Sequence, residues 1–146
     1  MKKQALFFFL ALCFGLTACK ENADQQLEEA ETQSLPSEQN GVSMEAGQKM
    51  YAPDAEKMTI LIENKSEQEV VYGKHFTMEK KVGGVWRMVP FKDGAAFVEI
   101  ALFISPGEME TEAIPLYLFH PPLSEGTYRI VKKIGGQSLA ADFIIE

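Results

Sequence analysis

An alternating β segment enclosed by glycine turns constrains this chain most. Residues 123–136, LSEGTYRIVKKIGG, set Tyr128, Ile130 and Lys132 on one face of an extended strand and Arg129, Val131 and Lys133 on the other. Gly135-Gly136 ends the alternation with two residues that accept positive φ. Tyr128 opens the strand in the spacing Leu123-x-x-Gly126-x-Tyr128. There a tyrosine hydroxyl can fold back onto the backbone just upstream and pin the crossover into the last hairpin. The second arm of that hairpin is SLAADFII at 138–145, with Leu139, Ala141, Phe143 and Ile145 on one face.

The same rhythm runs back to Val42. Short β-like runs alternate with turn residues at intervals of roughly ten, the pattern of an all-β sandwich or barrel. MTILIEN at 58–64 directs Met58, Ile60 and Ile62 to the core, and Phe76 and Met78 are the inward residues of the next run. Gly83-Gly84 predicts a hairpin whose second arm, VWRMV at 85–89, carries Trp86, the only tryptophan. AAFVEIALFI at 95–104 is apolar and ends in Ser105-Pro106-Gly107. Pro115 assigns the following run an edge position or a strand end. Trp86 and the aromatics Phe97, Phe103, Tyr117 and Phe119 are expected in the core, with Trp86 as the candidate for an exposed binding aromatic.

The chain starts differently. Lys2 and Lys3 precede an apolar run at 5–16 that is too short to span a bilayer stably, so 1–18 reads as a secretory signal peptide. Leu16-Thr17-Ala18-Cys19 resembles the lipobox of bacterial lipoproteins, which implies cleavage before Cys19, a lipid on its thiol and attachment to the membrane. The only other cysteine, Cys13, falls in the segment to be removed, so the exported domain is expected to hold itself by packing, with no disulfide. The expected location is the bacterial cell envelope, facing away from the cytoplasm. In a diderm host, Lys20 after the cysteine predicts the outer membrane.

Residues 19–41 are rich in Glu, Gln, Ser and Asn and poor in β-branched and aromatic residues. Such a composition predicts a flexible acidic tether of about 25 Å root-mean-square span, with the folded domain at 42–146. The net charge of −7 excludes a nucleic-acid binder, which needs a basic face.

With the strands placed, Gly84-Val85-Trp86, Ser105-Pro106-Gly107, 126–132 and Ala141-Asp142-Phe143-Ile144 resemble a bacterial immunoglobulin-like domain. The resemblance implies an immunoglobulin-like two-sheet β-sandwich of about seven strands, with Leu123, Gly126 and Tyr128 as its tyrosine corner. It implies no catalytic residue, no cofactor and no inter-sheet disulfide. A looser likeness, carried by the Trp hairpin, the Pro-Gly turn and the Gly-x-Tyr strand, is to the bacillary intracellular proteinase inhibitor domain.

The chemistry of the remaining residues agrees with a non-catalytic module. His75 and His120 stand alone, without the spacing that puts two metal ligands on one face. Glu108, Glu110 and Glu112 alternate along one strand and are expected to face water. Neither a Gly-x-Ser-x-Gly elbow nor a phosphate-cradling glycine loop before a helix occurs. The expected function is an extracytoplasmic protein-interaction or accessory module. Its alternatives are an inhibitor presenting 90–95 or 120–125 to an extracellular protease, and a glycan or cell-wall binder acting through Trp86.

Overall fold

The computed structural model describes residues 23–146. The signal peptide expected at 1–18 and the lipidated Cys19 lie outside them. Alternating apolar runs cut by glycine and proline produce an almost wholly β architecture of two sheets. The smaller sheet has the order β1-β2-β4-β9, formed by Glu38–Gln39, Val42–Ala46, Lys57–Asn64 and Met109–Pro115. The larger contains β3 (Met50–Tyr51), β11 (Gln137–Ile145), β10 (Gly126–Ile134), β5 (Val70–Tyr72) and β8 (Leu102–Ile104) in that order. β6 (Thr77–Val82) pairs with β10 and with β7 (Val85–Met88).

β5 and β6 flank β10 on its side away from β11. β5 meets β10 at Ile134, and β6 runs along Tyr128 to Val131, so the two act as one interrupted strand. The turns follow their glycines. Gly83-Gly84 and Gly135-Gly136 both adopt positive φ at the two central positions, the conformation whose twist matches antiparallel strands.

The core lies between the sheets, and the period-two pattern selects its residues. Met58, Ile60 and Ile62 from β4 face Phe76, Met78, Ile130 and Phe143 from the larger sheet, all buried as the sequence predicts. A second aromatic group closes one end, where the Phe91 ring stacks on Phe119 at 4.6 Å and meets Phe76 and Phe97 edge-on. Of the four aromatics expected inside, Phe119 is fully buried and Phe97 is partly buried against the core. Phe103 and Tyr117 are exposed. The apolar run at 95–104 forms a strand only over Leu102–Ile104, and residues 95–101 are irregular.

The N-terminal segment departs from expectation. Among the described residues, 23–41 do not form a free tether: they pack along the sandwich. Residues 23–25 are helical, Ala30 is buried, Glu29 forms a β-bridge with Arg87, and Glu38–Gln39 pairs with β2. Asn40-Gly41, both at positive φ, makes the β1–β2 turn. The folded unit thus begins well before Val42.

Candidate interaction surface

Tyr128 does what its spacing predicts. Its hydroxyl donates to the Ser124 carbonyl at 2.7 Å, Leu123 is buried beside it, and Gly126 sits at φ +152°, where a side chain would drive a Cβ to within 2.8 Å of Lys80 Cε. Burial raises the phenol pKa above its ordinary value, while the Ser124 contact and the Lys80 charge work in the opposite direction. Lys80, opposite Tyr128 in the register, is itself buried and donates to Asp24 Oδ2 and Ser124 Oγ, both at 2.6 Å. The tyrosine corner therefore also clamps the N-terminal segment, through Asp24.

Residues 23–39 cover the outer face of the β6–β7–β10 region by polar means. Arg129 projects from that face toward Glu79, its register partner, and the two form a buried ion pair. The same guanidinium donates to the carbonyls of Thr32 at 2.7 Å and Gln33 at 3.1 Å. Burial pushes the Glu79 carboxyl up despite the opposing pull of Arg129. The edge of β7 is closed as well. Ala30 N–H donates to the Trp86 carbonyl, Met88 N–H to the Glu28 carbonyl, and the Gln33 amide pairs with both the carbonyl and the N–H of Trp86.

Trp86 lies under this cover, 7 % exposed. It is buried, as the packing expectation has it, but on the outer face and apart from the core between the sheets. The Arg129 guanidinium stands 4.4 Å from its ring centroid, a cation–π contact. A glycan could not stack on this ring with the segment in place.

The glutamate expectation also needs correction at one residue. Glu108 and Glu110 are exposed, whereas Glu112 is buried. Glu110, Glu112 and Ile114 share a strand face, and Ile114 is in the core, so Glu112 is carried inward with it. Lys132 reaches it from the opposite sheet at 3.2 Å and also donates to the carbonyls of Gly73 and His75. Glu112 Oε2 has no hydrogen-bond partner among the described residues. Burial lowers the Lys132 pKa below its ordinary value, with Glu112 opposing. The partly exposed Lys74 stands 3.9 Å from the same Glu112 oxygen, and the buried Lys132–Glu112 pair ties the two sheets together.

Strand edges separate what is sealed from what is open. β1 and β3 are two residues long, β7 is covered, and β9 carries glutamates and Pro115, all of which discourage pairing. β8 pairs only with β5 among the described residues. On the outer face there, Val71 and Phe103 stand directly opposite one another, 46 % and 58 % exposed. Val98 and Ile100, in the adjoining irregular segment, are exposed too. β8 itself carries neither glutamate nor proline, and among the described residues no further strand pairs with it, which makes this edge the surface best suited to a protein contact.

The two loops singled out for protease inhibition differ in support. Within 90–95, Lys92, Asp93 and Gly94 are exposed, anchored by Phe91 on one side and by a Lys92 N–H bond to the Leu118 carbonyl. Residues 120–125 contain a cis Pro121–Pro122 bond and expose His120 and Glu125. His75 is exposed, with its ring 5.0 Å from Phe97. Among the described residues no group of three or more His, Cys, Asp or Glu gathers to hold a metal, and no helix is long and apolar enough to cross a membrane.

No curated protein shows significant similarity to the chain. Among solved structures, similarity extends to the alkylpurine DNA glycosylase AlkC of Pseudomonas fluorescens, with 12 % identity over 73 % of this chain and 30 % of that one at a TM-score of 0.40. A β-glucosidase of Erythrobacter marinus matches at 11 % identity over 73 % of this chain and 15 % of its own, with a TM-score of 0.39. A structural-genomics target, SoR45, matches at 18 % identity over 72 % and 78 % of the two chains, with a TM-score of 0.29. The chain spans less than a third of the first two proteins, and the resemblance to all three is too distant to transfer any activity. The model of a bacterial Ig-like domain matches residues 38–144, starting at β1. Such domains are typically non-catalytic accessory or interaction modules, and on this match, the two-sheet sandwich and the Tyr128 corner, the chain belongs to the bacterial Ig-like domain family.

Proposed function

We propose that the protein is a lipid-anchored module of the cell envelope, held on the membrane through Cys19 and engaging a protein partner through the β5–β8 edge. The observation that carries the interaction half is the exposed Val71–Phe103 pair on an edge with no second strand partner among the described residues. Apolar side chains at a free edge support both halves of strand addition, main-chain pairing for affinity and side-chain contact for specificity. The anchoring half rests on the basic start, the apolar run and the Leu16-Thr17-Ala18-Cys19 box. Two substitutions test the halves separately. Cys19→Ser should move the protein from the membrane fraction to the soluble one, and unchanged retention sinks the anchor. Phe103→Glu should leave the fold intact and abolish cross-linking to envelope proteins from a thiol-directed probe placed at Val98→Cys; cross-linking at parental yield sinks the surface.

A second reading, inhibition of an extracellular protease, is favoured by the 90–95 loop, whose tip is exposed while Phe91 is packed into the aromatic group beneath it. A supported, projecting loop is what a substrate-like inhibitor needs. Tight stoichiometric inhibition within a panel of secreted proteases would establish it, and its absence would remove it.

A further inference from the structure

The packing of the N-terminal segment determines which end of the sandwich meets the membrane. We propose that the end formed by Pro53, Tyr117 and residues 120–122 lies in the lipid headgroup region, an inference that rests on the lipidation of Cys19.

Ala23 lies at that end, lining a cleft of about 400 Å³ with Pro90, His120, Pro122 and Leu123. Beyond it the chain is fixed: Asp24 is bound to Lys80 at 2.6 Å, and the segment stays paired to the sandwich through Gln39. The part able to act as a spacer between Cys19 and the domain is therefore residues 20–22, not 20–41. Four Cα steps of 3.8 Å each give a reach of at most about 15 Å from Cys19 to Ala23. The nine-residue β10, which runs from Gly126 at this end to Ile134 at the other, is about 30 Å long. The far end, with the Gly135-Gly136 turn and the Val71–Phe103 pair, is held away from the bilayer in any upright arrangement.

The near end is built for such a position. Its pieces are tied together by backbone bonds from Leu123 N–H to the Pro53 carbonyl and from Tyr117 N–H to the Glu56 carbonyl. Tyr117, 57 % exposed, and the exposed Pro121 and Pro122 present apolar surface with one phenol, the character that suits the membrane interface. The exposed Lys57 and Lys92 offset two of the four exposed carboxylates there, Asp54, Glu56, Asp93 and Glu125, so it is the short tether and the apolar tip, and not charge attraction, that hold this end at the headgroups. The occupant this end fits is the bilayer surface, and the orientation leaves the β5–β8 edge facing outward.

Lipidated full-length protein in phosphatidylethanolamine–phosphatidylglycerol vesicles provides the test. With Cys13 removed and the Cys19 thiol acylated, Tyr117→Cys and Phe103→Cys each supply a single reactive thiol for a fluorophore. A headgroup-bound quencher should quench the label at position 117 several-fold more than the label at 103. Flotation of the vesicles is read on the same samples. Protein that floats with equal quenching at the two positions, or with more at 103, overturns the orientation and leaves the anchor standing. Protein that fails to float overturns the anchor, and the orientation with it.

Discussion

β10 buries side chains on both of its faces, by different means. On the inner face Tyr128, Ile130 and Ile134 pack against apolar side chains of the other sheet, and the one cation, Lys132, finds a carboxylate there. On the outer face Arg129 is just as thoroughly buried, but by backbone carbonyls of a segment with hardly a large apolar residue in it. An inner face obtains its stability chiefly from area removed from water, an outer face of this kind from satisfied hydrogen bonds that hold only while the covering segment stays in register. The comparison explains how so polar a stretch can be ordered. It supplies few apolar groups, yet it meets a strand edge and two guanidinium nitrogens, Arg129 Nη1 and Nη2, whose hydrogen bonds it completes.

Removing either buried cation should have the largest effect. Arg129→Ala strands Glu79 and two carbonyls and should cost about 3–5 kcal/mol in denaturant unfolding, with loss of protection across 24–33 in hydrogen exchange. Lys132→Met leaves Glu112 only the more distant Lys74, 3.9 Å away, and should cost up to about 3–5 kcal/mol but should leave the N-terminal segment protected; if it frees the segment as well, the two faces are not independent. Adding Glu112→Leu to Lys132→Met should restore most of the loss, because an apolar pair of similar volume fits the site between the sheets.

The inner pair also has a pH signature. Burial lowers the Lys132 pKa from 10.5, so as pH rises from the folded-state value toward 10.5 the unfolded chain binds more protons than the folded one. That group's contribution to stability then rises with pH across this window. The double variant should lack this rise when urea midpoints are compared along the alkaline limb, and an unchanged slope would contradict a buried charged lysine.

Smaller effects separate the covering segment from the corner that clamps it. Gln33→Ala leaves the Trp86 N–H without its partner and should cost about 1–3 kcal/mol, together with a red shift of tryptophan emission as water reaches the ring. Tyr128→Phe removes one hydrogen bond and should cost about 0.5–1.5 kcal/mol, with Trp86 emission unchanged. A Tyr128→Phe protein as stable as the parent would contradict the corner.

The inner face was legible because hydrophobic alternation is a signal that a single segment carries by itself. Met58, Ile60, Ile62, Phe76 and Met78 could be assigned without knowing their partners, and the Leu123-x-x-Gly126-x-Tyr128 spacing is equally local. The outer face was not legible, since nothing in the composition of 23–39 announces that Arg129, far along the chain, will donate to its carbonyls and hold it as a lid. One local signal was available there. Asn40-Gly41 is a strong type I′ turn pair, and it marks a hairpin joining the supposed tether to β2. For Trp86 the sequence leaves both core packing and an exposed binding aromatic open, and the third arrangement it takes, buried on the outer face, depends on the same long-range cover. Glu112 shows the converse limit: alternation placed it correctly with Glu110, yet which face points inward was decided by Ile114 and by Lys132 across the gap.

The central claim is that residues 23–39 belong to the folded domain, and native-state hydrogen exchange at two amides tests it most directly. Ala30 N–H and Met88 N–H form reciprocal bonds between this segment and β7. Both should exchange slowly and with comparable protection, and Arg129→Ala should speed them together. Exchange of Ala30 at the rate of an unstructured peptide would contradict the account and return the segment to a free tether.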